Sequence, residues 1–354
     1  VGPEKPLVNG IVDYFEKFKI KVFGPNMKAS QLEGSKIFTK KICQKFNIPT
    51  ANFGIFKNKI DSKKFLENSS YPTVIKADNL ASGKGVYICN NKNESDIAID
   101  EIFNGKFGKA ENLLIEEFLK GEEMSFFIIS DGKNIKNFQT AQDHKRVLEG
   151  DKGKNTGGMG AYSPSRLIND DLEKKILNKI INPTLRGLSE LGTKYRGFLY
   201  AGLMIVEEEP LLIEYNARLG DPECQVLAIR LGAQLLDILL NCAKKKLLGT
   251  KINFANDIGL TVVIASKGYP GEFQIGKEIS GLESLDDDEE IQVFHSGTEF
   301  KEGKLVSSGG RVLSVTARAK DLESARKKVY DTLTIIQWEN GFYRNDIGFK
   351  YFKK

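Results

Sequence analysis

The segment LIEYNARLGDPE, residues 212–223, ends an apolar strand with three polar side chains at alternate positions. Residues i and i+2 of an extended chain face the same side, so Glu214 and Asn216 offer hard oxygen ligands together and Arg218 continues the row. This arrangement predicts a site that holds Mg²⁺ against a phosphate group. The alternative is a strand at a sheet edge that enters a helix through the Gly-Asp-Pro turn at 220–222.

A second candidate region lies upstream, where a lysine interrupts a β-branched strand. Residues 73–78 place Lys76 in an otherwise apolar run, and a loop with Ser82, Gly83, Lys84 and Gly85 follows. A buried lysine needs an anion, and glycines let backbone N–H groups approach phosphate oxygens closely. The loop is not a P-loop, because no Lys-Ser or Lys-Thr ends a Gly-x4-Gly spacing. The region predicts a phosphate cover, with a plain hairpin turn as the alternative.

Acidic residues follow the next predicted strand, at 112–119. Glu116 and Glu117 lie near its end, and Glu123 starts the strand after it. Carboxylates at these positions are suited to hydrogen bonds with ribose hydroxyls. An acidic, solvated turn is the alternative interpretation.

Composition limits the class of protein. The chain has 354 residues, of which 40% are hydrophobic and 28% charged, and a net charge of only +5. This length and balance predict two or three globular domains. The lysines are spread along the chain, which argues against nucleic-acid binding, and no apolar run reaches the ~18 residues of a membrane span.

Cysteines and histidines are few. Cys43, Cys89, Cys224 and Cys242 show no Cys-x-x-Cys spacing, which predicts reduced thiols in a cytoplasmic protein and no zinc site. His144 lies between Asp143 and Lys145, so it is either an imidazole near the phosphates or a surface histidine in a charged loop.

Periodicity and turn residues place the elements. Helices are predicted at 6–18, 28–46, 62–68, 94–103 and 321–335, and a helix from about 170 is expected to kink or end at Pro183. Strands are predicted at 21–23, 124–142, 198–206, 211–217, 259–266, 291–294 and 311–317. The glycine-rich segment 150–160 is predicted to be a loop that wraps an anion, and disorder is the alternative. Asp221 is expected to cap a helix and Pro222 to lie in its first turn.

The order of the polar features along the chain resembles the ATP-grasp superfamily. That order is Lys36, Lys76, the loop at 82–85, the acidic residues at 116–123, and Glu214 with Asn216. Six further motifs are similar to those of the phosphoribosylamine–glycine ligase family, also called glycinamide ribonucleotide synthetase. They are VGPE at 1–4, QLEGSK at 31–36, QDHKR at 142–146, NTGGMGAYSP at 155–164, GFLYAGLM at 197–204 and GDPE at 220–223. The resemblance extends from residue 1 to about residue 348.

The resemblance implies an α/β plus α+β architecture with an ATP-grasp fold. Residues 1–27 are expected to be a remnant of an N-terminal Rossmann-like domain, 28–250 the ATP-grasp domain with a lid at about 51–119, and 251–354 a C-terminal α+β domain. The family reaches the VGPE motif only after an N-terminal half domain, so roughly two strand–helix–strand units are expected to be absent. In the family, that part carries a Gly-Gly-Arg-Glu-His loop that helps to hold phosphoribosylamine.

The resemblance also implies a reaction. With ATP and Mg²⁺ or Mn²⁺, glycine is joined to 5-phospho-D-ribosylamine through glycyl phosphate, giving glycinamide ribonucleotide, ADP and phosphate in de novo purine biosynthesis. Two alternatives stay open, which are another ATP-grasp carboxylate–amine ligase and an inactive nucleotide-binding module. The chain is expected to be a monomer.

Roles follow residue by residue from the resemblance. Lys36 and Lys76 are expected to hold the α- and β-phosphates, and Glu214 with Asn216 to hold the metal. Arg218 is expected to bind the glycine carboxylate or the acyl phosphate. Closure of the loop with Lys84 is expected to exclude water, and Asp143 to orient an amine. The remaining expected nucleotide contacts are Ser82, Gly83, Gly85, Glu116, Glu117, Glu123, His144 and Lys145.

Overall fold

The computed structural model describes residues 3–78, 85–285 and 288–352. Eleven α-helices lie within these residues: α1 Glu4–Val8, α2 Ile11–Lys17, α3 Gln31–Gly34, α4 Lys36–Phe46, α5 Lys59–Leu66, α6 Lys92–Phe103, α7 Asp170–Ile176, α8 Asn182–Glu190, α9 Glu223–Leu231, α10 Gln234–Ala243 and α11 Leu322–Ile335. The predicted contacts Ser82, Gly83 and Lys84 lie outside the described residues.

Seventeen strands lie in the same part of the chain. They are β1 Phe53–Phe56, β2 Thr73–Ala77, β3 Val86–Cys89, β4 Leu113–Glu117, β5 Glu122–Asp131, β6 Ile135–Asp143, β7 Arg146–Leu148, β8 Lys152–Asn155, β9 Gly160–Ser163, β10 Arg196–Val206, β11 Glu209–Asn216, β12 Ile258–Ser266, β13 Ile291–His295, β14 Thr298–Lys301, β15 Lys304–Ser307, β16 Arg311–Ala319 and β17 Gly341–Phe342.

The chain forms two compact units, each built from several segments. Unit 1 comprises residues 1–138, 168–219 and 239–250, and unit 2 comprises residues 139–167, 220–238 and 251–354. The predicted domain boundaries at 27/28 and 250/251 are drawn on a different basis and stay a prediction.

Unit 1 contains an antiparallel sheet in the order β1-β4-β2-β3. The β-branched run of β2 favours an extended backbone, and helices α5 and α6 cover the sheet with apolar side chains. The buried core includes Leu66, Ile75, Ile99, Ile102 and Leu113. Lys76 of β2 is only 4% exposed, which confirms the prediction of a lysine within a buried strand.

Unit 1 also contains the antiparallel strands β5, β10 and β11, and β11 lies at the edge of its sheet. Glu214 is opposite Gly202 of β10 and Asn216 is opposite Tyr200, with a register shift between Gly202 and Leu203. Among the described residues, β11 has only an isolated bridge from Thr50 to Leu212 besides its pairing with β10, so no second strand pairs with it at Glu214 and Asn216.

Unit 2 contains strands β9, β12, β16 and β13 in that order, all antiparallel. Helix α11 begins at an Asp321 cap, whose Oδ1 accepts a hydrogen bond from Ser324 N–H at 2.8 Å. The core of this unit is a continuous apolar cluster that includes Tyr162, Val262, Val315, Val329 and Leu333.

The structure departs from several local predictions. Residues 21–23 form no strand, and the predicted helix at 28–46 is two helices, because Ser35 is extended and its Oγ caps α4 by accepting Phe38 N–H. For Pro183, where a kink or an end was expected, the α-helix is interrupted by a π-helical turn at Leu177–Ile181 before the proline, and α8 continues past it. Asp221 makes no capping hydrogen bond to α9.

The glycine-rich segment 150–160 is partly regular. Its residues Lys152–Asn155 form β8, which pairs with β7, so the prediction of a continuous loop is wrong for this part. Residues 156–159 are the irregular portion and connect β8 to β9.

Within the described residues, no single helix is long and apolar enough to cross a membrane. The bent pair α9 and α10 meets the criterion by joint length and composition alone.

Candidate functional site

A buried carboxylate pairs with two lysines in unit 1. Glu116 Oε2 lies 2.6 Å from Lys76 Nζ, and Glu116 Oε1 lies 2.9 Å from Lys40 Nζ, with all three side chains at most 6% exposed. Although burial alone would raise the pKa of Glu116, the two ammonium groups hold it below its usual value. The cluster has one more positive than negative charge, which suits it to bind an anion.

Lys36 is the first residue of α4 and lies beside the end of β2. Its Nζ donates to the Ala77 carbonyl at 3.1 Å. Asp78 fixes the start of the helix, because its Oδ1 accepts hydrogen bonds from Ser35 Oγ at 3.0 Å and from Ile37 N–H at 3.1 Å. Burial lowers the pKa of Lys36, and the carboxylate of Glu214 opposes that shift.

Glu214 and Asn216 are both half-buried on β11, two residues apart. They therefore lie on one side of the strand, as predicted from the period of an extended chain. No cluster of three or more acidic, histidine or cysteine side chains suited to a metal occurs in the described parts of the chain. A carboxylate and an amide fit Mg²⁺, which commonly takes one or two protein oxygens and completes its shell with phosphate and water.

Arg218 follows these ligands and is held by two carboxylates. Its Nη2 lies 3.2 Å from Glu33 Oε1, its Nε lies 3.4 Å from Glu4 Oε2, and its Nη1 donates to the Leu219 carbonyl at 3.0 Å. Burial raises the pKa of Glu33 to about 7, and the nearby guanidinium only partly opposes this.

The other predicted nucleotide contacts in unit 1 occupy different settings. Both carboxylate oxygens of Glu117 accept hydrogen bonds from Asn52, at 2.9 Å from its N–H and 3.0 Å from its Nδ2. Glu123 is exposed on β5, opposite Met204 of β10. The carbonyl of Gly85 accepts Ala77 N–H at 2.9 Å, which extends the pairing of β2 with β3 by one residue.

Unit 2 contains two neighbouring acidic residues, Asp143 and Glu223. Burial raises the pKa of Asp143 well above its ordinary value, and the carboxylate of Glu223 raises it further. Asp143 Oδ1 is buried without a hydrogen-bond partner among the residues that the structure describes. A buried oxygen in this state is a good acceptor for an N–H donor from a ligand.

Arg311 links the loop at Gly157 to Asp221, close in sequence to Glu223. Its Nη1 donates to the carbonyls of Gly157 at 3.0 Å and Asp221 at 2.6 Å, and its Nη2 lies 3.0 Å from Asp221 Oδ2. Gly158 lies between, with φ +121°, and a Cβ there would be 2.7 Å from Asp143 Oδ1. The NTGGMG motif therefore packs directly on Asp143 within unit 2.

His144 is fully buried and structural in its contacts. Its Nδ1 is 3.2 Å from the Gly160 carbonyl and its Nε2 accepts Gly348 N–H at 3.1 Å, which assigns the proton to Nδ1. Burial lowers the pKa of His144 to about 3. Both ring nitrogens are engaged by the main chain, so neither predicted alternative, a phosphate contact or a surface histidine, matches this placement.

Lys145 lies next to His144 and is half-buried. Its carbonyl accepts hydrogen bonds from Thr156 N–H at 2.7 Å and Thr156 Oγ1 at 2.9 Å, which fixes the start of the NTGGMG segment. Its expected phosphate contact stays a prediction.

All four cysteines are free, as predicted, and three of them are buried. Burial raises the pKa of the Cys43 thiol to about 12 and that of Cys89 to about 11. These thiols are therefore protonated and unreactive near neutral pH.

Three residues at these sites were missed by the sequence reasoning, namely Lys40, Glu33 and Glu223. Lys40 is four residues after Lys36 on α4, so helical spacing provided a usable signal. Glu33 and Glu223 lie in the quoted motifs, but only the packing of separate segments shows which groups they face.

Models of one family match most of the chain. The phosphoribosylglycinamide synthetase N domain matches residues 1–33, its ATP-grasp (A) domain residues 34–224 and its C domain residues 259–350.

Relatives with the name phosphoribosylamine–glycine ligase match over nearly the whole chain. The Brucella melitensis protein is 46% identical and the Mesorhizobium japonicum protein 48% identical, each over 99% of this chain and 82% of the relative. An Arabidopsis thaliana relative, named as chloroplastic, is 46% identical over 99% of this chain and 67% of its own length.

Solved structures agree on the fold. The phosphoribosylamine–glycine ligase of Thermotoga maritima has a TM-score of 0.85 and 36% identity over 92% of this chain and 82% of its own. The biotin carboxylase domain of a Hydrogenobacter thermophilus 2-oxoglutarate carboxylase, crystallised with MgADP and bicarbonate, has a TM-score of 0.76 at 19% identity, covering 96% of this chain and 74% of that one. The latter likeness concerns the ATP-grasp fold alone. With its sequence matched from the first to the last family domain, this chain belongs to the phosphoribosylamine–glycine ligase family of ATP-grasp enzymes.

Proposed function

We propose that this chain joins glycine to 5-phosphoribosylamine with ATP and Mg²⁺, giving glycinamide ribonucleotide, ADP and phosphate, as a step of purine biosynthesis. Family membership supports the reaction. The structural observation that carries the residue assignment is the position of Lys36 Nζ at the Ala77 carbonyl, next to Lys76 on β2, with Glu214 near enough to act on the pKa of Lys36.

The first chemical demand is to bring two anions together. A glycine carboxylate oxygen must approach the γ-phosphorus of ATP, and cations are needed to neutralise the like charges. We assign Lys36 and Lys76 to the phosphates, with Glu116 and Lys40 holding Lys76 in place through the buried ion pairs. Glu214 and Asn216 would hold Mg²⁺, which neutralises phosphate charge when bound.

Arg218 is assigned to the glycine carboxylate. A guanidinium presents a planar fork of N–H donors that matches a carboxylate or an acyl phosphate. Its side chain is 27% exposed, so part of it faces solvent despite the contacts with Glu4 and Glu33.

The reaction then proceeds in two displacements. A glycine carboxylate oxygen attacks the γ-phosphorus and ADP leaves, which gives glycyl phosphate. The phosphoribosylamine nitrogen attacks the glycyl carbonyl carbon, phosphate leaves, and the nitrogen loses a proton. We assign Asp143 to the acceptor amine, because its buried Oδ1 lacks a hydrogen-bond partner among the described residues. No protein nucleophile is required.

We also propose a cytoplasmic location, which is supported by four cysteines that are all free, as expected in a reducing compartment. The monomeric state stays a prediction, and the measured mass in solution would test it.

Phosphate release tests the assignment. We expect release from MgATP to require both glycine and phosphoribosylamine, and Glu214→Ala to lower the rate by about 100-fold, as for loss of a group that stabilises transition-state charge. Glu209→Ala is the matched control, because Glu209 is an exposed carboxylate on the same strand, paired with Lys175 and Lys179. Equal losses in both variants, or release that does not need glycine, would contradict the proposal.

A further inference from the structure

Glu33 is a buried carboxylate to which the mechanism above gives no role. Its side chain is 6% exposed. One oxygen, Oε2, accepts a hydrogen bond from Ala217 N–H at 2.7 Å, and the other, Oε1, lies 3.2 Å from Arg218 Nη2. Both oxygens therefore contact the two residues that follow Asn216.

Burial of this carboxylate carries a cost in lost hydration. An ion pair taken out of water gains little or nothing over an apolar pair, because both charges lose their hydration. The surroundings are also acidic, since Glu4 contacts the same guanidinium and Glu214 lies near enough to act on Glu33. The carboxylate of Glu33 also helps to raise the pKa of Tyr195, whose buried hydroxyl donates to the Phe198 carbonyl at 2.6 Å.

The contact has a direct geometric effect on Arg218. A free arginine side chain samples many rotamers, and a ligand that binds it must overcome that lost side-chain entropy. Glu33 contacts both the Arg218 guanidinium and the backbone N–H of Ala217, the preceding residue. One carboxylate therefore holds the Arg218 side chain and the adjacent main chain. Glu4 at 3.4 Å is the longer and more exposed of the two carboxylate contacts.

We infer that Glu33 is a positioning residue that fixes the Arg218 guanidinium in the orientation that receives the glycine carboxylate. The inference rests on the proposed role of Arg218. In this assignment Glu33 acts on glycine through its contact with Arg218, and its hydrogen bond from Ala217 N–H holds the same segment.

A double-mutant cycle tests this. The KM values for glycine and for MgATP and the kcat are measured by ADP formation on the full chain for Glu33→Ala, Arg218→Gln and the double variant. We expect Glu33→Ala to raise the glycine KM by about 10-fold, because Arg218 would no longer be held in its binding orientation before glycine arrives. The MgATP KM should change by less than about two-fold, and Glu33→Ala should have no further effect when Arg218 is already replaced.

Two further variants serve as a conservative replacement and a control. Glu33→Gln keeps an acceptor for Ala217 N–H, so it should fold as the parent does and raise the glycine KM by less than Glu33→Ala. If Glu33→Ala does not fold, Glu33→Gln takes its place in the cycle. Glu16→Ala is the matched control, because it removes an exposed glutamate–arginine pair, with Arg196, in the same unit.

The outcomes separate the inference from its basis. A raised glycine KM in Arg218→Gln, with the parental value in the Glu33 variants, would overturn the inference alone. Full additivity of the two substitutions, or equal rises in the glycine and MgATP KM, would also overturn it. A parental glycine KM in Arg218→Gln would refute the role of Arg218 and with it the inference.

Discussion

His144 shows how a single residue departs from its sequence context. A histidine between an aspartate and a lysine looks like a charged loop residue, yet the imidazole is fully buried and hydrogen-bonded to the main chain at Gly160 and Gly348. Its neutral form is part of the packed core of unit 2, beside Tyr162 and Phe349.

The pH dependence of stability follows from this burial. The pKa of His144 is about 3 in the folded chain, against about 6.5 when unfolded. Below pH 6.5 the unfolded chain binds a proton that the folded chain does not, so stability is lost as pH falls from 6.5 towards 3. Between pH 7.5 and 5.5 this group should remove about 1 kcal/mol from the free energy of unfolding.

Urea unfolding at the two pH values checks this prediction. On going from pH 7.5 to 5.5, His144→Gln should lose about 1 kcal/mol less free energy of unfolding than the parent. His295→Gln is the control, since His295 is the only other histidine and is exposed, and it should follow the parent. A pH dependence in His144→Gln equal to that of the parent would contradict the assignment.

At the residue scale, the alternation of side chains along a strand predicts which residues share a face. It does not predict which residues of other elements pack against that face. The alternation along β11 placed Glu214 and Asn216 on one side, and the apolar run of β2 placed Lys76 in a core. The role expected for Glu116 was a ribose contact, whereas its oxygens face Lys76 and Lys40. That pairing depends on α4 packing beside β2 and β4, which no local pattern contains.

At the scale of elements, most helices and strands were predictable because apolar period and capping residues agree. The misses occur where a tertiary contact replaces a local signal. Asp78 holds the start of α4 from another element, which separates α3 from α4 at Ser35. At Pro183, where a kink or an end was expected, a π-helical turn accommodates the residue without an N–H donor and α8 continues beyond it.

The segment that connects β8 and β9 depends on glycine at one position. A Cβ on Gly158 would be 2.4 Å from Pro222 Cδ and 2.7 Å from Asp143 Oδ1, at a φ of +121°. We expect Gly158→Ala to cost about 1–3 kcal/mol of stability through strain and overlap, and to displace the loop from Asp143. Activity with phosphoribosylamine should fall by more than the loss of folded protein explains.

Gly249→Ala provides the control, because a Cβ there meets nothing within 4 Å and the backbone has no positive φ. Urea unfolding and steady-state rates on both variants check the prediction. Parental stability in Gly158→Ala would show that the loop adapts and that its packing on Asp143 is not required.

At the scale of the whole molecule, the candidate residues divide between the two units. The residues assigned above to the phosphates, the metal and glycine are in unit 1, whereas Asp143, Lys145 and the NTGGMG segment are in unit 2. Motif order predicted this set of residues, but it could not predict a division into units that each draw on three separate stretches of chain.

The division leads to a test that separates the two displacements. Hydroxylamine attacks an acyl phosphate, forming a hydroxamate and releasing phosphate, so it replaces phosphoribosylamine as the acceptor. Hydroxamate formation from ATP and glycine then depends on the unit 1 residues alone, and Glu214→Ala should abolish it.

Asp143→Asn should keep the hydroxamate rate within about two-fold and lower the phosphoribosylamine-dependent rate by about 10-fold or more, as for the loss of one positioned acceptor. Asp237→Asn, an exposed aspartate of unit 2, should change neither rate. Equal losses of both rates in Asp143→Asn would remove Asp143 from the acceptor site, and no hydroxamate from the parent chain would argue against a glycyl phosphate intermediate.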